Sequence, residues 1–133
     1  MIRVARISDV DGIRKLMKSV SGFWDEDWRA DVLERVIGSA EAIALVHLDG
    51  ETIEGFACAH DAGFRAYLSE FAVVETQQRS GVGTALLQSF ESALLQRGCR
   101  LVVADAYPPA EPFYRARGWA PPAALLLSHR LES

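Results

Sequence analysis

The chain is 133 residues long, 50% apolar and 24% charged, an ordinary globular mix that excludes a disordered, collagen-like or coiled-coil chain. Fourteen Lys and Arg against eighteen Asp and Glu leave a net charge of −4 with no basic stretch to offset it, which argues against a nucleic-acid partner. Apolar runs such as residues 42–46 and 123–127 fall far short of the roughly 20 residues of a membrane span, and the opening MIRVARISDVDG carries no run of signal-peptide length.

Residues 2–7 alternate branched apolar side chains with arginine, the pattern of a short strand. Ser8 and Asp9 then offer capping oxygens, and Ile13, Leu16, Met17 and Val20 follow at helical spacing. After a break at Ser21-Gly22, a second helix is expected near residues 27–37, with Trp28, Val32, Val36 and Ile37 on its inner side. Residues 42–48 read as a strand buried on both faces. Asp49-Gly50 is a hairpin signal, since both residues tolerate positive φ, and residues 52–60 form the partner strand. A third long strand is expected over 65–75. Residues 81–97 make an amphipathic helix with Leu86, Phe90, Ala93 and Leu94 on one face, ended by Gly98. A strand over 100–105, a proline-rich break, a short helix over 110–117 and a last strand over 125–131 complete the order. No linker or repeat divides the chain, so residues 1–133 are read as one domain. The order β-α-α-β-β-β-α-β-α-β predicts an α/β (α+β) fold: a mixed central sheet of six to seven strands with helices on both faces.

Cys58 and Cys99 both sit in apolar, strand-like segments and are read as buried, reduced thiols in a cytoplasmic protein. There is no CxxC or HExxH, and His47, His60 and His129 show no ligand spacing, so no metal is expected.

The most informative stretch is Gln77-Gln78-Arg79-Ser80-Gly81-Val82-Gly83-Thr84, between the third long strand and the amphipathic helix. Glycines let backbone approach a ligand closely, and a helix start adds unpaired amides and a partial positive charge of about half a unit. Such a loop can hold a phosphate or pyrophosphate; on the glycines alone, a tight strand-to-helix turn fits equally well. No lysine follows the second glycine, so the loop is no P-loop. It also lacks the third glycine and early βαβ unit of a dinucleotide fingerprint.

Gln78-x-x-Gly81-x-Gly83, between Phe71-Ala72-Val73-Val74 and Thr84-Ala85-Leu86-Leu87, resembles the acetyl-coenzyme A signature of the GNAT superfamily of N-acetyltransferases. Ala110-x-x-Phe113-Tyr114-x-x-x-Gly118-Trp119 resembles that family's later helix, about thirty residues on with one strand between. The element order matches over nearly the whole chain. The resemblance implies that the amides of Gln78, Arg79, Ser80, Gly81, Val82, Gly83 and Thr84 cradle the coenzyme A pyrophosphate, with Arg79 adding a charge-assisted bond. It assigns backbone groups of Phe71, Ala72 and Val73 to the pantetheine arm, by edge addition, and implies a bulge in that strand, which the sequence does not itself display. Tyr114 matches the tyrosine that protonates the leaving thiolate and closes the cofactor site; Phe113 and Trp119 are read as packing. One departure stands out: the asparagine common three residues before the matched alanine is here Tyr107, followed by Pro108-Pro109.

The family shares no single general base. Glu70 is the candidate: strict alternation puts it on the face of Leu68, Ala72 and Val74, an odd place for a lone carboxylate unless a cleft opens there. His60 and Asp61 are in reserve. The acceptor would lie against the first two helices, where Trp24, Asp25 and Glu26 put an aromatic face beside carboxylates able to grip a cation; His60 is the other substrate-side candidate. The expected function is transfer of an acetyl group from acetyl-CoA, as co-substrate, to a primary amine of a small molecule such as a polyamine, an amino acid derivative or an aminoglycoside-like compound. Direct attack in a ternary complex is expected, with no metal. The alternatives are acetylation of protein lysines or N-termini, and a non-catalytic acyl-CoA-binding or sensing domain. The sequence leaves the oligomeric state open, a homodimer included.

Overall fold

The computed structural model describes residues 1–121 and 124–132, and the chain divides into two compact units, Met1–Val103 and Ala104–Ser133. The first is built on a sheet in which strands follow one another in chain order: β1 (Ile2–Val4), β2 (Ala42–Asp49), β3 (Thr52–Asp61), β4 (Ala66–Val73) and β5 (Val102–Ala104). Strands β1 to β4 pair antiparallel. The β2–β3 hairpin turns where Asp49-Gly50 foretold it, with Gly50 at φ +61°.

Alternation along β2 sends Ala44, Val46 and Leu48 to one face, where they join Phe56, Cys58 and Ala72. Helix α1 (Val10–Ser19) lays Ile13, Leu16 and Met17 on that face, and α2 (Val32–Ile37) adds Leu33. The other face takes α3 (Val82–Gln96), whose buried stripe is Val82, Leu86, Leu87, Phe90 and Leu94. With apolar cover on both sides, β2 reads as a nearly unbroken hydrophobic run.

Helix α1 is anchored by Asp9. Its carboxylate accepts hydrogen bonds from Arg3 Nη1 and Nη2 (2.7 and 2.9 Å) and from the Arg6 amide (2.7 Å). The Arg3 bond holds the Asp9 carboxyl below the usual carboxylate range, against the opposing pull of burial. Asp9 is thus a tether back to β1, and it caps no amide of α1 itself.

Two expectations need correction. The second helix is shorter than residues 27–37: Asp25 Oδ1 accepts the Asp27 amide (2.8 Å) and Asp25 C=O the Trp28 amide (3.1 Å), so the chain turns there before α2 begins at Val32. The sheet has five strands among the described residues, and the expected strand over 125–131 is irregular chain with Leu125, Leu126, Leu127 and Leu131 exposed. That run is leucine-rich but does not alternate, and a strand needs a partner as well as an apolar sequence. The second unit's helix is α4 (Glu111–Arg115), entered through a 3-10 turn at Pro108–Ala110. Among the described residues no helix is long and apolar enough to cross a membrane.

Gly55 decides how closely α3 approaches the sheet. A Cβ there would stand 2.7 Å from Leu86 Cδ1 and 3.1 Å from Val82 Cγ1, and Leu86 is fully buried and cannot swing away. Gly55→Ala should cost about 1–3 kcal/mol in urea denaturation through overpacking. Because Val82 and Leu86 lie in the first turns of α3, the same substitution should weaken whatever binds at that helix start. Wild-type stability would show that α3 yields at no cost.

Candidate active site

The chemistry-bearing part of the first unit begins at an irregularity between β3 and β4. Cys58 pairs with Glu70, but Ala59 pairs with Leu68, which leaves Ser69 as an extra residue in β4. Ser69 Oγ reaches back to the Cys58 carbonyl (3.4 Å). The extra residue changes the parity of the strand. Leu68 sits opposite Ala59 on the α3 face, whereas Glu70 and Ala72 sit opposite Cys58 and Phe56 on the face of α1 and α2. The expectation that Glu70 shares a face with Leu68 is therefore overturned; its placement with Ala72 stands.

On that face Glu70 meets a cavity of about 70 Å³. Its floor is Phe56, Cys58 and Glu70 from the sheet, and its walls are Met17 of α1 with Val32, Leu33 and Val36 of α2. Trp28 lines it as well. Burial pushes the Cys58 thiol up to about 12, and the Glu70 charge pushes the same way against a hydrogen bond with Ser69. The thiol is therefore protonated and inert at neutral pH.

The acceptor-side residues fall around this cavity unevenly. Trp24 packs edge-on to Trp28 (ring centroids 5.1 Å, 72°), and the Lys18 ammonium lies 5.2 Å from the Trp24 ring centroid. Asp25 is engaged in the turn before α2, and Glu26 is exposed. Neither acid lines the cavity. His60 pairs with Ala42 and Tyr67 near the far end of β3, and Asp61 Oδ1 accepts the Gly63 amide (3.0 Å) to close the following turn. The wall residues Met17, Trp28, Val32 and Val36 are ones the sequence offers only as core. Their helical spacing marks an apolar face without telling whether that face is filled.

The glycine loop leads from β4 through a 3-10 turn (Glu75–Gln77) into α3. Arg79 has φ +72° and Gly81 φ +95°; Arg79 is the one non-glycine residue at positive φ among the described residues. Gln78 Nε2 donates to the Val73 carbonyl (3.1 Å), and Ser80 Oγ donates to the Gln77 carbonyl, so both side chains brace the loop. The loop fits a diphosphate. Residues 78–81 are exposed, a Cβ at Gly81 would meet nothing within 4 Å, and the first turn of α3 carries no acidic residue. First-turn amides, Val82 and Gly83 included, have no acceptor within their own helix; Thr84 follows, half-buried. In β4, Phe71 pairs with Ala57 and is half-buried, while Ala72 and Val73 are buried.

In the second unit, Tyr114 is half-buried between Phe113 (5.3 Å between centroids, 86°) and Trp119 (5.1 Å, 57°). Burial, and then the charge of Asp105, pushes its phenol up to about 12. Phe113 and Trp119 are thus packing residues whose packing clamps the tyrosine. Tyr107, at the position of the common asparagine, is exposed at the start of the Pro108–Ala110 turn.

The chain belongs to the acetyltransferase (GNAT) family, whose sequence model matches residues 11–119. Among curated protein sequences none matches it significantly. Its fold is similar to that of a transcriptional regulator from Bacillus halodurans C-125, at TM-score 0.83 and 17% identity over 98% of this chain and 99% of that one. It is equally similar to AAC(6')-Iy bound to a bisubstrate analogue, CoA-S-monomethyl-acetylneamine (TM-score 0.83, 17% identity, 98% and 97% covered). An aminoglycoside acetyltransferase from an uncultured soil metagenomic sample, in complex with trehalose, follows at TM-score 0.79 and 18% identity, over 99% and 96%. At such identities the likeness is one of fold.

An arginine held in the left-handed region costs about 1–2 kcal/mol. Arg79→Gly should remove that strain, offset in part by the greater freedom of glycine in the unfolded chain, so Tm should hold or rise slightly. Coenzyme A affinity measured by calorimetry should nevertheless fall about 3- to 10-fold, the worth of an exposed charge-assisted bond, with the gap closing as salt is raised. Unchanged affinity at low salt would reduce Arg79 to a surface residue. Gly81→Val, with a β-branched side chain at positive φ, should abolish binding while circular dichroism stays native.

Proposed function

We propose that this protein transfers the acetyl group of acetyl-CoA directly to the primary amine of a small molecule. The observation that carries the reading is the bulge at Ser69, which turns Glu70 into a cavity on the strand that runs into the glycine loop. In this reading the loop amides from Gln78 to Thr84, with Arg79, hold the diphosphate, and backbone groups of Phe71, Ala72 and Val73 hold the arm and polarise the acyl carbonyl.

A primary amine with pKa near 10.4 is unprotonated in only about one molecule in a thousand at pH 7. Glu70 takes the ammonium proton, directly or through water, and passes it to solvent. The neutral amine nitrogen then forms its bond to the acyl carbon, gives up its second proton through the same carboxylate to become the amide nitrogen, and the carbon–sulfur bond breaks. Tyr114 gives its phenolic proton to the departing sulfur and is reprotonated from solvent. A phenol pushed up to about 12 holds its proton throughout the physiological range. It is a weak acid towards a thiol of pKa about 8.5 in water, so the transfer requires that the sulfur leave into a desolvated place.

Two substitutions test the roles. Glu70→Gln should lower kcat/KM about 100-fold at pH 7, and the deficit should shrink tenfold per pH unit as the free amine becomes abundant; a deficit independent of pH would make Glu70 structural. Tyr114→Phe should lower kcat about 10- to 100-fold with the KM for acetyl-CoA nearly unchanged. The wild-type rate should show no alkaline fall attributable to Tyr114 below about pH 11, given its raised pKa. Full activity of the phenylalanine variant removes the tyrosine as acid.

A further inference from the structure

The cavity beside Glu70 also restricts what the amine can be attached to. Its walls are aliphatic and aromatic: Met17, Val32, Leu33 and Val36 from the helices, with Trp28 as well. The ionisable groups that line it are Glu70 and the Cys58 thiol, neighbours across the β3–β4 ladder, and the Trp28 indole carries the one other polar atom among the lining side chains. A hydroxyl or second ammonium placed against Met17, Val32, Leu33 and Val36 would lose its water and gain no partner from them. The acids expected on the acceptor side do not line the cavity: Asp25 accepts an amide in the turn before α2, and Glu26 is exposed. The Trp24 ring, which could stack on a substrate cation, already carries the Lys18 ammonium at 5.2 Å. A polycation approaching that ring would meet a like charge.

Size narrows the class further. An apolar cavity of about 150 Å³ accommodates the six carbons of benzene, so about 70 Å³ leaves room for an alkyl group of roughly three to four carbons. We infer that the acceptor is a primary monoamine on a short, uncharged alkyl group, whose carbons fill the Met17–Val32–Val36 cavity while its nitrogen meets Glu70. This rests on the acetyltransferase reading above and sharpens it, because it excludes the polyamines and aminoglycoside-like compounds that the family resemblance alone admits. An amino acid is disfavoured as well, since its carboxylate would face Glu70.

The test is thiol release from acetyl-CoA by the full chain across ethylamine, propylamine, isobutylamine, isopentylamine, ethanolamine, spermidine and an aminoglycoside. Each methylene that enters the cavity should raise kcat/KM about fourfold. Isobutylamine should therefore exceed ethylamine by about tenfold or more, with ethanolamine, spermidine and the aminoglycoside below both. Val36→Phe, which fills the cavity, should collapse the isobutylamine-to-ethylamine ratio towards one. Met17→Ala, which enlarges it, should move the optimum to isopentylamine, and it serves where the phenylalanine variant does not fold. Fastest release with spermidine or the aminoglycoside would overturn the monoamine assignment and leave the acetyltransferase reading standing. Binding of acetyl-CoA by calorimetry with no release by any amine would overturn both.

Discussion

The β3–β4 ladder carries one residue too many, and the site is arranged around that surplus. Were Ser69 paired in even alternation, Glu70 would stand with Leu68 on the face that α3 covers. The register shift between Cys58 and Ala59 sends it to the other face, opposite Cys58 and Phe56. There the helices leave a cavity in place of close packing. A bulge leaves its extra residue unpaired and disrupts the ladder locally. Here the Ser69 hydroxyl offsets part of that loss by bonding the Cys58 carbonyl. The irregularity is thus both a local break in the β3–β4 ladder and the feature that brings a carboxylate to that cavity.

The other half of the site depends on close approach. Gly55 faces Val82 and Leu86 with no room for a Cβ, so the first turns of α3 rest directly on the sheet. Helix α3 can begin immediately after the loop because Arg79 and Gly81 take left-handed backbone. The loop side chains spend their hydrogen bonds bracing the turn, Gln78 to Val73 and Ser80 to Gln77. What remains for a ligand is main chain and the Arg79 guanidinium, so in the proposed reading a protein of net charge −4 would hold a diphosphate without a basic cluster. Arg79 is a non-glycine residue kept in left-handed backbone at the entry to helix α3.

These devices differ in how plainly the sequence shows them. The loop is legible, because Gly81 and Gly83 at fixed spacing before an amphipathic repeat mean close backbone and a helix start. The α3 stripe is legible for the same reason of period. The bulge is not, since an extra serine in an alternating strand changes no composition and breaks no run; only the pairing with β3 shows which face Glu70 takes. The walls of the cavity are hidden by another ambiguity. Met17, Trp28, Val32 and Val36 have the pattern of core residues, and whether the space they face is filled is decided by helix lengths. Helix α2 starts late because Asp25 turns the chain ahead of it, and that competition between a side-chain turn and helix propensity is decided locally. The leucines after Pro121 misled in the opposite direction: apolar content suggested a strand, but no alternation assigned it a face.

Burial at the site also selects between chemical routes. A transferase could pass its acyl group through a cysteine, and Cys58 lines the cavity beside Glu70. For that role the thiol must ionise near neutral pH. Burial moves it the other way, to about 12, and the Glu70 charge adds to the displacement. The carboxylate that would accept a proton from an amine is thus the group that helps to keep the neighbouring sulfur protonated. A negative charge placed between an ammonium and a thiol stabilises the cation and opposes the thiolate. The same two side chains, with their positions unchanged, would therefore favour attack by the amine itself over an acyl-cysteine path. Moving Glu70 to the opposite face would remove the base and one of the restraints on the thiol together.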